Sequence, residues 1–244
     1  MMEIKLFQEK KLKGYTLIEG FPGAGLVGPM AASYITEKLS MAYIGYIDSD
    51  MFPPITAVHG GVPMFTARLY ADEKSKLLVV LSEFTIPTNA VHALGLELLS
   101  FSRKYEIAKI VSIGGMPAKQ LTGDAYVIAS QKPLAEKAAK LGIKPVSEGV
   151  IAGVSAILLT GAAQLGIPML DVLVEVNPEI MDPKYAEIAV NALNKLLNIN
   201  IDLTELEKET KEVEAKVRDI LKNTKETHDH YSKATEAVEP PTYV

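Results

Sequence analysis

Three glycines near the start of the chain have the spacing of a dinucleotide-binding site. Gly23, Gly25 and Gly28 spell G-x-G-x-x-G within the stretch GFPGAGLVG at residues 20–28. In such a site the glycines let the backbone approach a pyrophosphate, and an acidic residue about twenty positions further on binds a ribose hydroxyl. Asp48 closes the next apolar run at about that distance. A nicotinamide or flavin site is therefore one interpretation of the motif.

Prolines in the same stretch argue against phosphate binding. A dinucleotide-binding strand runs directly into the first glycine, whereas here Pro22 stands before Gly23. Pro22 and Pro29 also lack a backbone N–H, and no Gly-Lys-Ser/Thr is present. We therefore predict a tight strand-to-helix turn whose glycines permit close packing, with another ligand in that turn as the alternative. The residues assigned to this structural turn are Gly20, Pro22, Gly23, Gly25 and Gly28.

Other residues that could do chemistry are scattered along the chain. His59 lies in the glycine-rich segment VHGGVP, His92 near the start of a predicted helix, and Ser155 in GVSA, which resembles half of a nucleophile elbow. No H-E-x-x-H and no G-x-S-x-G occurs. We interpret these residues as caps, loop or surface residues and predict no catalytic residue. Four acidic residues at predicted strand ends or loops are interpreted in the same way: Glu83, Asp124, Asp171 and Glu175.

One histidine pair near the C-terminus could bind a metal ion. His228 and His230 flank Asp229, and imidazole and carboxylate are zinc ligands. No further ligand lies close in the sequence, and the segment has no periodic pattern. We therefore predict no metal site and no cofactor.

The elements that must position these residues alternate along residues 1–201. Runs such as LLVVL at 77–81 and IVSI at 110–113 are apolar throughout, which is typical of strands covered by helices on both faces. The sequence predicts an α/β fold with a mostly parallel or mixed sheet and helices on both faces. Predicted strands are 15–19, 41–47, 64–70, 76–81, 107–113, 126–129 and 170–176. Predicted helices are 24–39, 89–105, 133–141, 154–165 and 183–197. Predicted helix ends are Thr88 and Asp182 as N-caps, and Gly142 and Gly166 as C-terminal stops.

The last 43 residues differ from this body. They carry 11 acidic and 7 basic residues, or −4 of the total net charge of −5. Leu203, Leu206, Thr210, Val213, Val217, Ile220 and Thr224 recur at alternating spacings of three and four. This pattern predicts a charged amphipathic helix at 202–227, packed on the body or a neighbouring subunit rather than forming a coiled coil. Residues 228–244 have no periodicity and are predicted to be a mobile C-terminal tail.

Composition narrows the function class. The chain has no cysteine, so disulfides and thiol catalysis are excluded, and a cytoplasmic location is expected. No apolar run reaches the roughly 18 residues of a membrane span, and no signal peptide is evident. No basic patch with interleaved aromatic residues is present. We therefore expect neither a membrane nor a nucleic acid as partner.

Several stretches together resemble the proteasome assembly chaperone 2 family, in particular its archaeal members. GFPGAGLVG at 20–28 is similar to that family's N-terminal signature, including Pro22. The resemblance continues, in order, through EFTIPT at 83–88, IGGMP at 113–117, GVIAGVSAILL at 149–159 and GIPMLDVLVE at 166–175. It spans roughly residues 3 to 222. It implies a fold similar to nucleoside phosphorylases and a non-enzymatic homo-oligomer that handles proteasome subunits or docks on the proteasome core particle.

The family resemblance also gives the C-terminus a role. Proteasome-binding proteins of several kinds end in a hydrophobic residue, a tyrosine and any last residue. Thr242, Tyr243 and Val244 match the tyrosine and the free carboxylate, whereas Thr242 departs from the hydrophobic position. The alternatives are a small-molecule binder or nucleoside-processing enzyme that uses the 20–28 turn with His59 or Glu83, and a scaffold whose tail binds a paralogous protein.

Overall fold

A computed structural model describes residues 2–204 together with residues 219, 222, 223, 225 and 226. The strands are β1 (Met2–Leu6), β2 (Thr16–Gly20), β3 (Ala42–Ser49), β4 (Ala57–His59), β5 (Val62–Met64), β6 (Ala67–Asp72), β7 (Leu77–Ser82), β8 (Lys109–Pro117), β9 (Ala125–Ala129), β10 (Lys144–Pro145) and β11 (Met169–Val176). The helices are α1 (Val27–Lys38), α2 (Thr88–Lys104), α3 (Lys132–Lys140), α4 (Val154–Leu165) and α5 (Pro183–Leu197), and a short 3₁₀ helix, Ala24–Leu26, precedes α1.

Nine of these strands form one mixed sheet in the order β1-β3-β6-β7-β2-β8-β11-β9-β10. Its centre, β7-β2-β8-β11, is parallel. Antiparallel pairs flank this centre, with β6 on β7 at one side and β9 on β11 at the other. Strands β4 and β5 form a separate hairpin. The predicted mixed α/β sheet is confirmed.

Each face of the sheet carries its own apolar core. Ile18, Val79 and Val111 face α1 and α5 in one core, whereas Leu17, Val80 and Ile110 face α2 and α4 in the other. Consecutive residues of a strand point to opposite faces, so both halves of each central strand are apolar and buried. This explains why β7 is buried at every position. The predicted coverage of both faces is confirmed.

The helix ends test the capping predictions. The carboxylate of Asp182 accepts a hydrogen bond from the Lys184 N–H at the start of α5, and Gly166 ends α4 in the left-handed conformation. Gly142, with φ +80°, follows the end of α3. Thr88 was the wrong N-cap: Pro87 precedes α2 in extended geometry, so Thr88 is already the first helical residue and makes no capping hydrogen bond.

The sequence patterns did not predict the short strands at the edges of the sheet and in the hairpin. β1, the β4–β5 hairpin and the two-residue β10 are too short or too polar to show a period. No helix in the described part of the chain is both long enough and apolar enough to cross a membrane. Most of the predicted 202–227 helix, and all of the predicted 228–244 tail, lie outside the described residues.

Candidate functional site

A cleft of about 560 Å³ lies at the carboxyl ends of the central parallel strands. Ligands of open α/β sheets bind at this edge because the loops that follow the strands surround it. One wall is the turn Phe21–Ala24 after β2, and another is the segment 146–153 that leads into α4. The start of α4, with Val154 and Ser155, completes the rim.

Three polar side chains lie in a row beneath this cleft. Glu19 on β2 pairs in register with Ser112 on β8, and Ser112 pairs with Asp171 on β11. All three alternate with residues of the α1–α5 core, so they point toward the α2–α4 side of the sheet. Glu19 and Asp171 line the cleft, yet they are only 4% and 1% exposed.

Burial changes the acidity of both carboxyl groups. It raises the pKa of Glu19 to about 7, although the neighbouring Ser112 side chain and the hydrogen bond from the Phe21 N–H partly oppose this rise. Ser112 Oγ is itself buried and has no hydrogen-bond partner among the described residues. Burial, together with the negative charge of Glu19, raises the pKa of Asp171 to about 7. The Phe21 N–H donates to Glu19 Oε1 at 2.8 Å. Asp171 Oδ2 is fully buried and has no hydrogen-bond partner among the described residues.

The 20–28 turn is packed against its surroundings at three of its glycines. A Cβ on Gly28 would lie 2.7 Å from the Phe21 carbonyl oxygen and 2.8 Å from that of Ile113. A Cβ on Gly20 would lie 2.7 Å from the Gly28 carbonyl oxygen, and one on Gly25, which has φ +64°, would lie 2.9 Å from Val176. At Gly23, by contrast, no atom lies within 4 Å of an added Cβ, and this residue lines the cleft.

The dinucleotide arrangement is not assembled around this turn. A ribose-binding acid stands at the end of the strand beside the glycine turn. Asp48 lies on β3, which two other strands separate from β2, and it pairs with Lys5 at 2.8 Å. Asp48 is therefore not placed to serve as a ribose-binding acid for the 20–28 turn.

His59 and Glu83 meet each other but do not line the cleft. His59 Nε2 lies 2.7 Å from Glu83 Oε1, and Arg68 Nη1 donates to Glu83 Oε2 at 3.1 Å. Arg68 is 4% exposed and also donates to the Phe65 carbonyl oxygen at 3.0 Å. Burial by itself lowers the pKa of Arg68, but the hydrogen bonds and charge of Glu83 raise it overall. The cluster is a buried ion pair at the ends of β6 and β7.

Two of the remaining candidates, Glu175 and Asp124, have structural partners. Glu175 accepts hydrogen bonds from the Thr122 N–H and hydroxyl and from the Tyr126 hydroxyl, and these bonds lower its pKa although burial opposes them. Asp124 pairs with Lys144, and His92 lies in α2. Asp171 was wrongly placed at a strand end, because β11 begins two residues before it.

Within the described ranges no group of three acidic, histidine or cysteine residues could hold a metal. His228, His230 and the tail residues Thr242, Tyr243 and Val244 lie outside the described residues.

Comparison with known proteins agrees with this geometry. The sequence matches the PAC2 family over residues 17–221. The chain belongs to the PAC2 family. It is 27% identical to protein MJ0106 of Methanocaldococcus jannaschii over 223 residues, which cover 90% of this chain and 92% of that one.

Two solved structures share the fold. Pyrococcus furiosus PbaA, an archaeal homologue of a proteasome-assembly chaperone, aligns with a TM-score of 0.81 and 27% identity, covering 92% of this chain and 99% of that chain. Pyrococcus furiosus PbaB, an archaeal proteasome activator, aligns with a TM-score of 0.75 over 90% of this chain and 98% of that chain. Its 22% identity supports the fold alone.

Sequence reasoning missed Glu19 and Ser112 as members of one site. The signal was present as a polar residue in the interior of each of three largely apolar strands: Glu19 in TLIEG, Ser112 in IVSI and Asp171 in MLDVLV. This signal did not identify the site, because local sequence patterns do not give the strand order that places these residues side by side.

Proposed function

We propose that this protein is a non-enzymatic, proteasome-assembly chaperone-like protein or proteasome-binding adaptor that docks through Thr242, Tyr243 and Val244. The observation that carries the proposal is the full-length likeness to PbaA, which covers 99% of that chain at 27% identity. PAC2 family membership over residues 17–221 supports the same class. The partners are the proteasome core particle or its subunits, and further copies of this chain.

The chemistry of the C-terminus suits docking into a pocket between subunits. Tyrosine has a large apolar ring with a polar end, and the terminal carboxylate can pair with a lysine. Pro240 and Pro241 restrict the backbone before Thr242 and so lower the entropy lost on binding. A three-residue contact binds weakly alone, but repeated tails on a homo-oligomer would raise the avidity by about 10²–10⁴-fold where the spacing fits.

The test is a pull-down of the purified proteasome core particle with the intact chain and with a chain lacking residues 242–244. We expect the intact chain to retain the core particle and the truncated chain to lose it. A chain with Glu106→Gln, an exposed change on the body, is the matched control and should bind like the intact chain. If the intact chain binds no mature particle, the tail proposal fails there, and free proteasome subunits and a paralogous protein become the partners to test.

The small-molecule alternative is not supported at the residues that the sequence suggested for it. His59 and Glu83 form an ion-pair cluster outside the cleft, so they do not support a nucleoside-processing site at the 20–28 turn. The cleft itself, with the buried carboxyl groups of Glu19 and Asp171, favours a different class of ligand from a nucleoside.

A further inference from the structure

We propose that the cleft beside the carboxyl ends of β2 and β8 and the first half of β11 binds a small organic cation, an amidinium or ammonium group on a compact apolar body, whose charge is held by Glu19 and Asp171. The inference does not depend on proteasome binding. It follows from four properties of the cleft: its charge, an unpaired oxygen, its apolar walls and the register of its floor.

The charge of the lining has one sign. The titratable side chains that line the cleft are Glu19, Asp171 and, at the exposed rim, Glu148. No lysine, arginine or histidine of the described chain lines it. A cleft with acidic groups and no cationic partner concentrates positive ligands and repels anions. Phosphate-bearing ligands such as dinucleotides are therefore disfavoured at this place.

Asp171 supplies the observation that points to a bound donor. Its Oδ2 is buried and receives no hydrogen bond within the described structure. A buried acceptor without a partner destabilises the fold, and does so more strongly when it is charged. Because buried polar groups in native proteins are nearly always paired, an unpaired one that lines a cleft marks the place of a missing donor. An amidinium or ammonium N–H provides that donor together with the opposite charge.

The apolar walls of the cleft indicate the chemistry of the uncharged part of the ligand. Apolar side chains from several segments line the cleft: Phe21, Ile86, Val91, Ile128 and Leu173. A volume of about 560 Å³ accommodates a small organic molecule. A divalent metal ion is a poorer occupant, because the described residues offer no group of three suitable ligands. The ligand therefore combines a cationic group with an apolar body.

The register places the two carboxyl groups on either side of one cation. Neighbouring strands lie about 4.8 Å apart, so the α-carbons of Glu19 and Asp171 are separated by about 10 Å with Ser112 between them. A planar amidinium has two NH₂ groups that point apart and can donate to both carboxylates at once. The first residues of α4 also line the cleft without a side-chain cap, so an acceptor on the ligand can meet their N–H groups.

Three isosteric probes test the proposal on the full chain at pH 8. Benzamidine carries the amidinium, benzamide is its neutral counterpart and benzoate is its anionic counterpart. We expect saturable binding of benzamidine by saturation-transfer NMR and calorimetry, binding of benzamide weaker by about tenfold or more, and no binding of benzoate. Equal binding of benzamidine and benzamide, or no binding of benzamidine, overturns the proposal without any mutation.

Two variants localise the binding. Asp171→Asn and Glu19→Gln keep the side-chain shapes and remove one negative charge each, and each should weaken benzamidine about tenfold. Glu106→Gln, at an exposed ion pair on the body, is the matched control and should leave the affinity unchanged. If one of the two cleft variants fails to fold, the other variant still tests the proposal. Benzamidine bound unchanged by both variants would place it elsewhere on the protein and overturn the proposal.

Discussion

Glu19 and Asp171 flank Ser112 from the two neighbouring strands, and both carboxyl groups are buried in a cleft that no cationic side chain of the described residues lines. Such a pair weakens the fold, since desolvation and mutual repulsion both penalise the charged forms. Proteins keep destabilising groups of this kind where a ligand compensates them. The buried acidic pair therefore affects the stability of the protein as well as its ligand binding.

Replacing either acid should stabilise the protein at high pH. The pKa values of Glu19 and Asp171 rise from 4.5 and 3.8 to about 7 on folding, so the folded state holds more protons than the unfolded state between about pH 4 and pH 7. The free energy of unfolding therefore falls as the pH rises through that window. Glu19→Gln and Asp171→Asn abolish the effect, and each should be more stable than the parent by about 1–3 kcal/mol at pH 8.

Chemical denaturation of the parent and both variants at pH 5 and pH 8 measures this difference. The gain at pH 8 should shrink by roughly half or more at pH 5, where the parent's carboxyl groups are protonated in the folded state but still mostly ionised in the unfolded state. Glu106→Gln should change stability little at either pH, because its ion pair with Lys13 is exposed. A parent whose stability is flat from pH 5 to pH 8, or variants that are less stable at pH 8, would contradict the assignment.

Cation binding should have the opposite pH dependence to stability. Benzamidine keeps its charge throughout the neutral range, whereas Glu19 and Asp171 lose their protons around pH 7. Its affinity should therefore increase severalfold from pH 6 to pH 8, and calorimetry at each pH should show proton release on binding. Affinity that is constant over this range would mean that neither buried carboxyl group takes part.

The glycine turn offers a test in which helix propensity and packing predict opposite results. Gly28 lies in the first turn of α1, where Ala is intrinsically favoured by up to about 1 kcal/mol. An added Cβ would however meet the backbone oxygens of Phe21 and Ile113 at 2.7 and 2.8 Å. Gly28→Ala should therefore destabilise the fold by about 3 kcal/mol. Gly23→Ala, which meets no atom within 4 Å, is the matched control.

Thermal unfolding of the two alanine variants compares these effects directly. Gly28→Ala should lower the Tm by several degrees, whereas Gly23→Ala should leave it near that of the parent. A stabilised Gly28→Ala would show that propensity outweighs packing and that the turn is looser than its backbone distances indicate.

The buried ion pair of Arg68 and Glu83 should behave unlike exposed pairs. Glu83→Gln leaves the guanidinium, 4% exposed, without its countercharge, and this should destabilise the protein by about 3–5 kcal/mol. Glu106→Gln removes a pair whose side chains are 62–75% exposed and should cost less than about 1 kcal/mol. Urea denaturation at pH 7 measures both values, and similar costs for the two variants would contradict the structural role of Glu83.

Much of the fold was predictable because its signals are local. Helices α4 and α5 begin and end where their apolar periods, Gly166 and Asp182 indicated. The central strands were visible as apolar runs for the same reason. Strand β1 and the β4–β5 hairpin were not predictable, because their pairing depends on distant partners such as β3 rather than on their own few residues.

The cleft depends on strand order, which local patterns do not encode. Glu19, Ser112 and Asp171 are 59 to 152 positions apart in the sequence and become neighbours only because β2, β8 and β11 are adjacent. The same fact corrects the interpretation of Asp48, whose favourable spacing in the sequence leads to a strand remote from the turn. A polar residue in the interior of each of these largely apolar strands was the local sign of the site.

The tail proposal predicts that docking can be strengthened as well as removed. Thr242 stands where proteasome-binding tails of the resembling pattern have a hydrophobic residue, so Thr242→Leu should add buried apolar surface and tighten binding about tenfold. Tyr243→Ala should abolish binding, and two glycines added after Val244 should do the same by moving the carboxylate. Surface-bound proteasome core particle gives the dissociation constants, with Thr242→Ser, which keeps the hydroxyl, as the matched control. If Thr242→Leu binds no tighter than Thr242→Ser, or if the glycine extension still binds, the contact does not follow the tail pattern and docking must come from another surface of the chain.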